Sequence, residues 1–360
     1  MAYLPLSTAN LPDPAIDPAQ GSSPEDYFNT VLWTGDGSYP RSITGVGFQP
    51  DFTWLKARSA AYSHILYDAV RGAGLGKELT STGTDVEGNI QQYTNLTSFD
   101  ADGFSIGSTT STNVLNDSGV TFVAWNWKAN GSGVSNTDGA LTSTVSANTE
   151  AGFSICKFDG DSSGTTVGHG LNQAPEMVIT KGTNFADNWH TQVYPFIAAT
   201  QTLGLNINSG ALTSNAFNNT APTSSVFSIS TGYASTGRTI VAYCFHSVEG
   251  FSKIGSYTGN GNADGPFVYT GFRPAFVMIK RTDSTQDWHI VDVERSTFNT
   301  VIDYLLPNSS GAEFTSSSNP IDLLSNGFKF RDTGSRVNGS GGTYIYMAFA
   351  ENPFKYSNAR

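Results

Sequence analysis

One ten-residue stretch occurs three times in the 360-residue chain, and this recurrence restricts the fold more than any other feature. The clearest copy is Gly271-Phe272-Arg273-Pro274-Ala275-Phe276-Val277-Met278-Ile279-Lys280. The first copy is Gly47-Phe48-Gln49-Pro50-Asp51-Phe52-Thr53-Trp54-Leu55-Lys56. The second, degenerate at its front, is Asn172-Gln173-Ala174-Pro175-Glu176-Met177-Val178-Ile179-Thr180-Lys181. Proline and lysine keep one spacing in all three. Gly35, Gly160 and Gly259 stand the same distance before each proline, and an aromatic residue (Trp33, Phe158, Tyr257) lies two residues before each glycine. A histidine follows each lysine by eight or nine residues: His64, His190 and His289. Chance does not hold so many offsets three times. The chain is a tandem array, and a unit of about 100 residues is a domain rather than one turn of a solenoid.

Each unit reads as strands. In the first, Phe28 to Trp33, Phe52 to Lys56, His64 to Val70 and Phe104 to Ile106 are separated by polar, Gly-rich turns. Phe52 and Trp54 point one way and Thr53 and Leu55 the other, so this strand is expected to be buried on both faces, as in a sandwich. The closing strands Thr121 to Trp127, Thr239 to Phe245 and Thr343 to Phe349 alternate with period two and place Trp127, Phe245 and Phe349 on one register. No window keeps a helical period. The 23 Phe, 15 Tyr and 6 Trp residues supply real cores, and aromatic residues mixed with Gly, Ser, Thr and Asn are an all-β composition. We expect an all-β chain of three tandem β-sandwiches of jelly-roll or lectin-like type. An extended arm covers residues 1–26, the first repeat 27–130, a linker or hairpin 131–151, the second repeat 152–250, and the third repeat with a short tail 251–360. The third repeat follows the second directly, so those two should be fixed together while the first has more freedom.

The arm carries Pro5, Pro12, Pro14, Pro18 and Pro24, with Leu4, Leu6, Leu11 and Ile16 as spaced apolar anchors. Such a segment cannot bury enough surface alone to offset its ordering entropy. It is expected to dock on another chain or on a second copy of this one. A homo-oligomer follows, a trimer before other states. The formal net charge of −11 gives no electrostatic footprint for nucleic acid. No segment is apolar and long enough to insert in a bilayer, and Met1 to Gln20 has neither the basic start nor the apolar centre of a signal peptide. Cys156 and Cys244 are the only cysteines; two buried reduced thiols are favoured over a disulfide, because a secreted scaffold carries many more.

Chemistry is harder to find. Lys56, His64 and Asp68 resemble an acid–base set, as do Lys280, His289 and Asp292; the second repeat keeps Lys181 and His190 but has Tyr194 near the acidic position. Histidines on strands beside Trp189 and Trp288 are more often packing residues. Asp68-x-x-Arg71 and Asp292-x-x-Arg295 read as structural ion pairs. The turns Asp159-Gly160-Asp161, Asn260 to Gly265 and Asp100 to Gly103 offer oxygen ligands for calcium, but tight hairpins need the same residues. We expect no metal, no cofactor and no catalytic residue. Tyr39, Tyr62 and Tyr233 in loops are the candidates for stacking on a glycan.

With the repeats laid out, the chain resembles a family of virion-associated proteins of tailed bacteriophages, tail-fibre-like and common in marine phage genomes. The strings that carry the resemblance include Tyr67-Asp68-Ala69-Val70-Arg71-Gly72, Val123-Ala124-Trp125-Asn126-Trp127-Lys128, Gly168-His169-Gly170-Leu171, Tyr257-Thr258-Gly259-Asn260-Gly261 and Asn352-Pro353-Phe354-Lys355, within about residues 27–355. It implies a virion structural protein made in the host cytoplasm: a tail fibre, an appendage or a surface decoration that contributes to host recognition. A carbohydrate-binding module is the alternative, and a glycan depolymerase the third reading.

Overall fold

The computed structural model describes residues 13–88, 94–108, 114–316 and 320–357. The all-β expectation holds. Among the described residues the helices are 3-10 turns at Pro18–Gln20, Pro24–Asp26 and Phe354–Tyr356, and no helix is long and apolar enough to cross a membrane. Each repeat lays a large antiparallel sheet over a small one. In the first repeat, Phe28–Thr34, Thr121–Trp127, Phe52–Ala57, Ile65–Asp68 and Leu79–Thr80 lie side by side in that order, and Arg41–Thr44, Gly103–Ser108 and Thr94–Asp100 form the facing sheet. The closing strand is central every time. It pairs with the repeat's first strand and with its Pro-to-Lys strand, matching Phe52 to Trp127, Met177 to Phe245 and Phe276 to Phe349.

Between the two sheets of each repeat lies a core of its own. Leu55, Tyr67, Phe104 and Phe122 fill the first; Phe158, Val178, Phe227 and Ala242 the second; Val277, Phe328, Phe330 and Tyr344 the third. That accounts for one face of each large sheet. The opposite faces meet one another in a fourth and larger core, shared by all three repeats. Phe52, Trp54, Val123, Trp125 and Trp127 enter it from the first repeat, Phe153, Ile179, Trp189, Tyr243 and Phe245 from the second, and Phe276, Met278, Trp288, Met347 and Phe349 from the third. Trp127, Phe245 and Phe349 are equivalent, as their shared register suggested, but they do not bury in separate domains. Their rings touch pairwise, with centroids 6.5, 5.6 and 6.1 Å apart, so they mark the axis of a quasi-threefold ring.

Two expectations are corrected by this ring, and a third is narrowed. The first repeat has no extra freedom, because Phe28, Phe52, Trp54, Trp125 and Trp127 are built into the shared core. For residues 131–151 the structure takes the hairpin alternative: Val134–Asn136 and Ser143–Asn148 pair with each other, and the second of them pairs with Phe153–Asp159, which widens the second repeat's sheet. Ile16 does not reach for another chain. It is fully buried in the shared core, and the segment around it is tied down by Ala15 N–H donating to the Glu249 carbonyl and by Tyr356 donating to Asp17 at 2.6 Å. Leu4, Leu6 and Leu11 lie outside the described residues.

A shared core couples the repeats thermodynamically. Unfolding in urea is expected to give one transition, coincident by tryptophan fluorescence and circular dichroism, and Phe349→Ala should cost about 3–5 kcal/mol while keeping it single. Separate transitions for separate repeats would contradict the shared core.

Candidate functional site

The residues singled out for chemistry lie almost entirely at the joints of the ring. Lys56, Lys181 and Lys280 share the inward face of their strands with Phe52, Met177 and Phe276, two residues beyond Trp54, Ile179 and Met278. Each is buried, and each ammonium donates across a joint: Lys56 to the Ser310 carbonyl at 3.3 Å, Lys181 to Thr84 at 3.0 Å, Lys280 to Asn208 at 3.2 Å. Each also donates to a carbonyl of its own repeat, such as Asp187 at 2.9 Å and Arg281 at 2.7 Å. Backbone bonds repeat the pattern. The amides of Glu313, Glu87 and Ala211 donate to the carbonyls of Arg58, Thr183 and Thr282 at 2.7, 2.8 and 2.7 Å. The three joints are therefore the same joint.

The histidines are not one set. Pairing of Leu55 with Ile65, Thr180 with His190 and Ile279 with His289 makes His190 and His289 equivalent to Ile65, so His64 is displaced by one residue. A shift of one residue on a strand turns a side chain to the other face. His190 and His289 accordingly face their own sandwiches, edge-on to Tyr233 and stacked on Tyr304. His64 faces the shared core, at the position of Trp189 and Trp288. Those two indoles donate to the Thr80 and Gly204 carbonyls, both at 2.8 Å, across their joints. His64 accepts from the Trp54 indole at its Nδ1, 2.9 Å away, so its proton sits on Nε2, near the equivalent Leu306 carbonyl but outside good hydrogen-bond geometry. Burial holds His64 well below the ordinary histidine range and lowers His289 to about 3, with Arg336 and Arg295 adding to the effect at His289. Both stay neutral.

Two joints hold an ionic network that the third replaces. Arg71 meets Asp68 at 2.5 Å and Glu87 at 3.0 Å, and the second repeat's Tyr243 donates to Asp68 at 2.7 Å. Arg295 meets Asp292 at 2.6 Å and Glu313 at 2.8 Å, and the first repeat's Trp125 donates to Asp292 at 3.0 Å. At the remaining joint the register puts Val193, not Tyr194, at the aspartate's place, with Phe196 at the arginine's and Ala211 at the glutamate's. Met347 takes the donor's place, opposite Met278 as Trp125 is opposite Trp54. All four members have become apolar together.

The proposed glycan contacts divide. Tyr233 is buried against Phe185 and His190, so it is no surface residue, and this expectation is corrected. Tyr39 and Tyr62 are half-buried against the first repeat's core, and the Tyr62 hydroxyl donates to Asp117 at 2.7 Å. Oxygens in the Asp-Gly turns are engaged within the fold: Asp161 accepts from the Ser163 and Gly164 amides, and Asp102 from Gly45 and Gly47. Among the described residues no group of three or more His, Cys, Asp or Glu is placed to hold a metal. Cys156 and Cys244 are free, buried thiols in the second repeat's core.

Sequence reasoning missed a cleft of about 390 Å³. It opens where the segment at Pro14, the turn from Ser247 to Lys253, and the tail at Pro353 to Lys355 meet the short strand Phe267–Tyr269. Tyr269 stands at its edge, 60% exposed. The signal was the alternation Phe267-Val268-Tyr269, with aromatic residues at both outward positions.

These features define an all-β protein whose three sandwich repeats close into a quasi-threefold ring around one core. The chain belongs to the family of the domain of unknown function DUF7483, whose model matches residues 23–353. No curated protein matches it.

Two predictions test the joints. Removing one member of a buried ionic network strands the others, whereas replacing the whole network by apolar groups need not destabilise. Asp68→Ala should cost about 3–5 kcal/mol. The fourfold change Asp68→Val, Arg71→Phe, Glu87→Ala, Tyr243→Met, which copies the third joint, should cost less than that single change in urea unfolding. The lysines give a pH signature. Burial lowers Lys56, Lys181 and Lys280 from the usual 10.5 to about 8. Between those values the unfolded chain binds more protons than the folded one, so these groups make stability rise with pH. Relative to Lys280→Met, the wild type should gain on the order of 1 kcal/mol per pH unit between pH 8 and 9.5; parallel stability curves would show that Lys280 keeps its ordinary pKa.

Proposed function

We propose that this protein is a non-catalytic structural component of a tailed-phage virion, a tail-fibre or appendage part or a surface decoration, that contributes to contact with the host surface. The observation that carries the non-catalytic part is the use of the titratable side chains. The recurrent lysines, His64 and both Asp–Arg pairs lie at joints between repeats, bonded to groups of the same chain. A general acid or base has to reach a substrate, and these groups reach only the fold. The virion assignment draws its support from the family resemblance and from the closed ring, a rigid body suited to permanent assembly. Other virion proteins or further copies of this chain, a trimer first, are the proposed partners. Leu4, Leu6 and Leu11 remain the anchors proposed for them. The second reading, a carbohydrate-binding module, is favoured by the cleft beside Tyr269. No observation favours a depolymerase.

Particles of a tailed phage that encodes this chain, purified through a density gradient, are expected to contain it at a fixed copy number by quantitative mass spectrometry. Its presence only in the unassembled lysate fraction would overturn the virion assignment.

A further inference from the structure

The strand Phe267–Tyr269 lies at the edge of its three-stranded sheet, paired on one side with Gly327–Phe330. Val268 turns into the third repeat's core, so Phe267 and Tyr269 turn outward, 44% and 60% exposed. Residues two apart on a strand share a face about 7 Å apart. Two aromatic rings are therefore presented side by side, and the second stands at the mouth of the cleft. Opposite Tyr269 is Gly327, where an added Cβ would meet the Val268 carbonyl at 2.1 Å and the Phe267 ring at 3.0 Å. The ring thus lies close over bare backbone, and Gly327 leaves it that room. Exposing two large aromatic faces to water is unfavourable without a partner.

The cleft supplies polar groups to match. Glu249 and Lys253 are exposed on its wall. The other charged residues nearby are paired: Lys355 with Asp13, Lys329 with Asp264 at 2.7 Å. Among the described residues one carboxylate and one ammonium remain, an acceptor and a donor with no net charge between them. Flat apolar faces beside balanced donors and acceptors match an uncharged sugar, whose rings carry C–H faces and hydroxyl rims. An anionic polymer would call for an excess of cations, which neither this cleft nor the net charge of −11 provides.

We infer that Phe267, Tyr269, Glu249 and Lys253 form a binding site for a neutral oligosaccharide, with Tyr269 stacking on the sugar seated in the cleft and Phe267 on its neighbour. The inference rests on the binding part of the proposed function, not on the virion part, and purified protein tests it apart from any particle. Full-length protein is titrated calorimetrically with neutral hexose oligomers of four to six units (α- and β-glucan, mannan, galactan) and with a uronic-acid oligomer. At least one neutral oligomer is expected to bind. Tyr269→Ala should weaken it at least tenfold with an unchanged melting temperature, and Phe267→Ala several-fold with the fold kept by circular dichroism. Tyr39→Ala should bind as the wild type does. Absence of binding to every neutral oligomer at millimolar concentration, preference for the uronic-acid oligomer, wild-type affinity in Tyr269→Ala, or loss of affinity in Tyr39→Ala in its place would each overturn the assignment.

Discussion

Trp127, Phe245 and Phe349 meet at the centre of the molecule, and each large sheet takes its place from that meeting. A sheet with one apolar face needs one partner layer. Here the large sheets are apolar on both faces, so the small sheet of each repeat cannot satisfy them. Three such surplus faces cover one another most completely by closing on themselves. Burial on this scale, at roughly 25 cal/mol per Å² of apolar surface, outweighs the cost of desolvating a few polar groups at the joints. The buried lysines fit this account: each satisfies carbonyls that the close approach of two repeats would otherwise leave unpaired, at a cost visible in the lowered pKa.

The three joints show two solutions to one packing problem. Asp68, Arg71, Glu87 and Tyr243 form a network in which every charge has a partner in low dielectric, and Asp292, Arg295, Glu313 and Trp125 form its counterpart. Val193, Phe196, Ala211 and Met347 fill the same space without charge. A mixed version would leave a buried ion alone, which is the costly state. The ionic networks are directional and geometrically exacting, the apolar cluster is permissive, and having both kinds makes the joints distinguishable from one another.

Much of this was legible in the chain. The repeat, the strand nature of its segments, the common register of the closing strands and the double burial of Phe52 to Lys56 all follow from offsets and period-two patterning. The identity of the second covering layer did not, because it comes from other repeats, 72 positions away for Lys280 and Asn208 and 175 for Tyr243 and Asp68, and carries no local mark. The displaced histidine was visible in principle: a spacing of eight against nine is a change of parity, and parity decides the face of a strand. Tyr233 was misread because polar, Gly-rich surroundings suggested an open loop, whereas the loop folds its ring beneath Phe185. Ile16 was misread because proline-rich context says how a segment is ordered but not against what. The cleft went unseen because its walls come from three segments far apart in sequence, near Pro14, Glu249 and Lys355.

The ends of the described chain lie together. Asp13 pairs with Lys355, Asp17 with Tyr356, and the Ala15 amide with the Glu249 carbonyl that sits between the second and third repeats. A ring whose joints share one backbone pattern and whose described ends are adjacent has no first member set by its main chain. The order of its repeats along the polypeptide is then a matter of where the circle is cut, and the turn at Glu249 and Gly250, to which the Ala15 amide is bonded, is another place where it can be cut. Circular permutation at that turn would ask the molecule to give up one peptide connection and no layer of its core.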